Sequence, residues 1–137
     1  MGKRRTAREF ALQILYRLDM GQENLAEKIL EEFWETNLTS DDVKEYTDLL
    51  VKGTKENQRE IDRIIADSAE NWTIDRMASV DRNILRFSTY EILKRNEIPS
   101  SVIINEAIEI AKKYGTEESG SFINGILDRV AKEVRKG

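Results

Sequence analysis

One proline, Pro99, interrupts 137 residues, and glycine is nearly as scarce, with seven. Proline is the residue that most forcibly stops a helix, so this chain meets few enforced breaks. Apolar residues recur at i, i+3, i+4 spacing in almost every segment, the signature of helices with one buried stripe. Ala7, Phe10, Ala11, Ile14, Leu15 and Leu18 form one such stripe. Ile103, Ile104, Ala107, Ile108, Ala111 and Tyr114 form another, and Phe122, Ile123, Ile126, Leu127, Val130 and Val134 a third. The single β-branched run, SVIIN, sits inside a helical pattern. The reading is all-α, with about six or seven helices in one domain over residues 1–137, long enough to bury a core without staples.

The spacing predicts these helices in order. Thr6 and Glu9 read as a capping box opening the first helix, which runs to about Asp19 with Gly21 ending it. Lys3, Arg4 and Arg5 either extend that helix or precede it as an arm. A second helix is expected from Leu25 to Thr36. Ser40 offers an N-cap, with Asp41 and Asp42 placed where the helix dipole favours acids. That third helix is expected to run to about Ala69, with Gly53 bending it or admitting a close neighbour. A short turn near Ile74 to Ala78 precedes a helix from Val80 to Arg95. Pro99 suits an early helical position before Ser100 to Tyr114, and the last helix spans Glu117 to Val134.

Charge is unevenly spread. Lys3, Arg4, Arg5, Arg8 and Arg17 against Glu9 alone make residues 1–17 net +4 in a chain of net −4, so the other 120 residues carry −8. Cations at a helix N-terminus oppose the macrodipole, so helix stability does not account for them. A tight basic cluster is what a polyphosphate attracts, because neutralised phosphates release counterions, and arginine adds bidentate contact and stacking on unpaired bases. A solvated terminus that happens to be basic is the equally open alternative. Arg5, Arg8, Leu12 and Tyr16 fall on one stripe, opposite Phe10, Ile14 and Leu18. Leu12 and Tyr16 there mark either a helix covered on both sides or a partner surface. Arg82 and Arg86, spaced i, i+4, read as a solvated flank pairing with Asp81 or Glu91. Lys112 and Lys113 offset a helix C-terminal dipole, and Phe122 fits a core stripe.

Histidine and cysteine are absent. That removes a thiol nucleophile, an imidazole base, disulfides and Cys/His metal sites, and suits the cytosol. The acid pairs Asp41/Asp42 and Glu117/Glu118 sit at expected helix starts, where capping explains them. GTEESGS lacks the spacing of a phosphate-cradling loop. No signal-peptide core and no stretch of about 18 apolar residues is present. An enzyme is disfavoured, carboxylate-only chemistry staying open, and neither a cofactor nor a metal is expected.

RRTAREFALQILYRLD, WTIDRMASVDRNILRFSTYEIL and IPSSVIINEAIEIAKKYGTEESGSFINGILD, in that order, resemble the NusB family of bacterial transcription antitermination factors. The resemblance covers nearly the whole chain. It implies two small helical bundles packed on each other and no catalysis. It implies binding of boxA, a short single-stranded RNA segment of ribosomal RNA operon transcripts. The partner implied is NusE, a small-subunit ribosomal protein in a second role, with other Nus factors and RNA polymerase reached through the assembly. Some family members also form homodimers that hide the RNA surface. By position, the resemblance assigns RNA contact to Lys3, Arg4, Arg5, Arg8, Arg86 and Phe122. It assigns NusE contact to Tyr16, Asp75 and Asp81, with Leu12 continuing that stripe. Glu118 lies near the implied RNA surface, where a carboxylate repels phosphate and tunes affinity. The alternative is a helical protein-interaction module whose basic start is incidental. An RNA methyltransferase carrying a NusB-like domain is disfavoured, because a chain ending at Gly137 leaves no room for a cofactor-binding domain.

Overall fold

A computed structural model describes residues 2–21 and 26–135. The helices are α1 (Gly2–Asp19), α2 (Ala26–Thr36), α3 (Asp41–Glu56), α4 (Gln58–Ser68), α5 (Ser79–Lys94), α6 (Ser100–Tyr114) and α7 (Ser119–Val134), with a single 3₁₀ turn at Ile74–Arg76. No strand occurs among the described residues. The expected helix start at Leu25 lies outside them.

The helices form two groups. α1 packs on α2 and α3, while α4, α6 and α7 surround α5. α5 joins the groups, because it also contacts α1 and α3. Ten consecutive residues, Asn83 to Ile92, are buried on α5, so this helix is enclosed all round rather than on one stripe. Phe87, Ile84, Leu85 and Ile92 lie in one hydrophobic cluster with Ile14, Leu50, Ile61, Ile110 and Ile123 from the surrounding helices.

Two expected boundaries are corrected. α1 begins at Gly2, so of the two readings of the basic residues the helical extension holds, and Thr6 lies inside the helix rather than capping it. Its first turn contains no acid. Carboxylates from other helices stand in: Asp42 of α3 accepts from Lys3 at 2.9 Å, and Glu106 of α6 accepts from Arg5. The expected continuous helix from Ser40 to Ala69 is instead two helices meeting at Asn57, whose backbone leaves helical geometry at φ −108°, ψ 16°. The Asn57 side chain donates to the Gly53 carbonyl at 2.8 Å, the local competition with the helix ladder that asparagine offers. At the α3 start, Ser40 accepts from the Val43 amide as expected. Pro99 is the N-cap residue of α6, just outside the early helical position expected for it.

Gly53 marks a close approach. A Cβ at this position would collide with the ring of Tyr90 on α5, which is itself buried. Replacing glycine inside a helix ordinarily stabilises by up to about 1 kcal/mol. Here overpacking against a held aromatic ring dominates, at about 1–3 kcal/mol. Gly53→Ala is therefore expected to lower the urea midpoint, and a raised midpoint would show that Tyr90 moves freely aside.

Candidate functional site

α1 carries the candidate site along its length, and its placement starts from a buried ion pair. Arg8 is 3% exposed and Glu91 of α5 is fully buried. Arg8 donates from Nε to both Glu91 oxygens at 3.0 and 3.1 Å, and from Nη2 to one at 2.9 Å. Tyr46 of α3 donates its hydroxyl to the same carboxylate. Burial, then the neighbouring Glu91 charge and hydrogen bond, push the Tyr46 hydroxyl well above its usual pKa, so it stays a donor. Glu106 approaches Arg8 at 3.6 Å while accepting two hydrogen bonds from Arg5, at 2.5 and 2.8 Å. Those Arg5 hydrogen bonds, against the opposing effect of burial, hold the Glu106 carboxyl below its usual range.

This geometry places two of the expected RNA contacts in the interior. Arg8 faces inward, enclosed by carboxylates and a phenol, and presents no guanidinium to a phosphate. Arg86, 6% exposed, lies in a second interior network. It donates to Asp62 at 2.8 and 3.0 Å and to Asp19 at 3.3 Å. Arg82 is no solvated flank either, because it donates to Asp19 at 2.9 and 2.6 Å and to two backbone carbonyls. Burial raises the Asp19 pKa, but hydrogen bonds from Arg82, Ser79 and Asn83 and the charge of Arg86 outweigh it and hold the carboxyl low.

What remains at the N-terminal edge is Lys3, Arg4 and Arg5. Lys3 and its partner Asp42 are both largely exposed, so that pair contributes little stability and exchanges readily. The Arg4 guanidinium lies 4.0 Å from the centre of the Tyr46 ring, with Arg95 5.5 Å from the same ring. Lys3, Arg4, Tyr46 and Arg95 border a cavity of about 450 Å³.

Further along α1 an apolar groove of about 490 Å³ opens between α1, α2 and the start of α5. Leu12, Tyr16, Phe33, Val80 and Tyr114 line it, with Arg17 and Glu32 at its edge. Leu12 is buried beneath it, so covering within the fold accounts for Leu12, while Tyr16 is 40% exposed. Asp81 follows Val80, and one of its carboxylate oxygens is buried without a hydrogen-bond partner among the described residues. Asp75 is exposed on the 3₁₀ turn and does not line the groove.

The α6–α7 corner supplies the last residues. Lys113 and Tyr114 both donate to Glu9 of α1 at 3.0 Å, tying this corner to α1. Glu118 is exposed just before α7, and its backbone carbonyl accepts from the amide of Phe122, one turn on. The half-buried Phe122 ring meets Trp72 edge to face at 5.6 Å.

The family model for NusB matches residues 5–132. The chain belongs to the NusB family. The transcription antitermination protein NusB of Thermodesulfovibrio yellowstonii is 51% identical over 140 residues, covering 96% of this chain and 93% of that protein. The T. maritima NusB structure is 44% identical with a TM-score of 0.83, covering 94% of this chain and 91% of that one. A chain in the crystal structure of antitermination factors NusB and NusE in complex with dsRNA is 32% identical, with a TM-score of 0.87 and coverage of 97% and 98%. The two helical groups are thus the NusB architecture, and antitermination of transcription is the activity that relatives of this family are named for.

Sequence reasoning missed Val80, Phe33 and Tyr114 as groove residues, because each also fits a core stripe. It missed Glu91 and Asp19 as interior anchors, because a carboxylate at a helical position reads as surface. Glu91→Gln would leave the buried Arg8 charge with only Glu106, at 3.6 Å, as counter-ion, and breaking a buried pair costs about 3–5 kcal/mol. Equilibrium urea unfolding should show a loss of that order, and a change within about 0.5 kcal/mol, the usual scatter of surface substitutions, would deny the pair its anchoring role.

Proposed function

We propose that this chain is a non-catalytic antitermination factor that binds single-stranded boxA RNA of ribosomal RNA operon transcripts together with NusE. In this reading it acts in the cytoplasm and helps assemble the antitermination complex with other Nus factors on RNA polymerase. The observation that carries the reading is the division of α1: a cationic N-terminal edge and, two to three turns on, an apolar groove beside a half-exposed tyrosine. Phosphates suit the first, through Lys3, Arg4 and Arg5. A protein partner suits the second, because Tyr16 combines an apolar ring with a polar tip at a surface. Asp81, half-buried next to Val80 of the groove, supplies a carboxylate acceptor for a donor from that partner. Asp75 belongs to the same partner surface at its margin. Phe122 contributes an aromatic edge for an unpaired base, and Glu118 a carboxylate that weakens phosphate binding. Arg8 and Arg86 serve indirectly, by holding α1 and α5 together. The relative solved with NusE and RNA supports both partners.

Fluorescence anisotropy of labelled boxA RNA, with and without NusE at two salt concentrations, tests this. The expected result is binding that weakens with salt, tightens with NusE, and falls in Lys3→Ala/Arg4→Ala. Tyr16→Ala is expected to remove the NusE effect while sparing RNA binding alone. Salt-insensitive binding, or none, would favour the protein-interaction module whose basic start is incidental. In the same titration Glu118→Gln is expected to bind RNA several-fold tighter, and unchanged or weaker binding at matched salt would contradict the repulsive role.

A further inference from the structure

We infer that the corner between Trp72 and Phe122 is a stacking site for one unpaired RNA base, with Trp72 as the principal contact. The inference rests on the RNA-binding reading above and deepens it by adding a residue and a subsite. Trp72 lies in the turn after α4, pinned by its backbone amide donating to the Ala69 carbonyl at 3.0 Å. Its ring meets Phe122 at an interplanar angle of 78°, so the two aromatics form an open corner rather than a closed stack. Trp72 is 45% exposed, so part of its ring system is open to solvent.

The corner opens on a cavity of about 250 Å³ lined by Asn71, Trp72, Ser121, Phe122, Arg129 and Glu70. That is below the ~300–1,000 Å³ of clefts that hold drug-sized ligands, and suits a single ring system. Asn71 and Ser121 offer hydrogen-bonding groups at the rim, and aromatic faces accept any base. The Arg76 guanidinium lies over the Trp72 ring, 5.5 Å from its centre, in a cation–π contact that an entering base would share or displace, and it has no ion pair among the described residues. With Arg129 it gives the corner two cations against Glu70, the sign a sugar-phosphate chain requires. Gly125, one turn beyond Phe122, also lines the cavity, and a Cβ added there meets nothing within 4 Å. The site is therefore continuous with the Glu118–Phe122 turn of α7 and open where a base would enter.

The chain holds two tryptophans, Trp34 and Trp72, so Trp34→Phe makes Trp72 the sole indole reporter. This variant would be titrated with unlabelled boxA RNA while labelled RNA reports total binding by anisotropy. The expected result is quenching of Trp72 emission that saturates with the anisotropy signal. Trp72→Leu, which keeps apolar cover over Phe122 but no π face, is expected to weaken binding about tenfold. Gly125→Leu, filling the cavity while leaving the Trp72 residue unaltered, should weaken it similarly, while Trp72→Phe retains most affinity. Undisturbed emission with full anisotropy, or unchanged affinity in both Leu variants, would overturn the stacking site and leave the RNA reading standing. No RNA binding by the unsubstituted chain would overturn both. The emission arm uses no substitution at the corner, so a misfolded variant does not decide the result.

Discussion

The pairing of Arg8 with Glu91 is the constraint on which the rest depends. Burying two charges costs several kcal/mol each, and only close geometry with further hydrogen bonds offsets it. Here three guanidinium hydrogen bonds, the Tyr46 hydroxyl and nearby Glu106 meet that condition. The pair is directional in a way that apolar packing is not. It fixes the rotation and register of α1 against α5, and Tyr46 brings α3 into the same arrangement. Because α1 begins with cations at the unfavourable end of its dipole, its first turns need this tertiary support.

A second anchor closes the other end. Asp19, eleven residues or roughly 17 Å along α1, gathers Ser79, Arg82, Asn83 and Arg86 of α5. α1 is thereby held to α5 at both ends, each time through a carboxylate and an arginine. Between the anchors its inner face is apolar and its outer face carries the groove at Tyr16. A helix fixed in this way keeps its cationic edge and its groove at a constant spacing, which the proposed joint recognition of RNA and protein requires.

The fold was legible because helix stripes are local. α6 falls on its expected residues, and α1, α5 and α7 differ by a few residues at their starts. The break at Asn57 was hidden because its cause is a side chain returning to Gly53 within an unbroken apolar pattern. The candidate site was legible only in part. Arg8 and Arg86 read as surface cations because their partners, Glu91 and Asp62, are distant in sequence or on another helix, and periodicity carries no information about such pairs. Tyr16 and Leu12 share one stripe, but one is exposed and the other buried, a difference that spacing along α1 does not carry. Trp72 gives no signal, since only the meeting of the turn after α4 with Phe122 of α7 makes it part of a surface.

Withdrawal of Arg8 and Arg86 into the interior changes the electrostatic argument. The cationic edge offers Lys3, Arg4 and Arg5 rather than five arginines and lysines, and Arg5 is already held by Glu106. Few phosphates can then be neutralised by this edge, and each contributes only a modest, salt-dependent increment. The acidic remainder of the chain further discourages indiscriminate attachment to RNA. On the proposed reading, such an edge achieves selectivity by being insufficient alone. A partner in the adjoining groove adds contacts, and the coupling is reciprocal: whatever factor the partner gives to RNA affinity, RNA returns to partner affinity. A stronger basic edge would bind RNA without the partner, and the requirement for joint assembly would be lost.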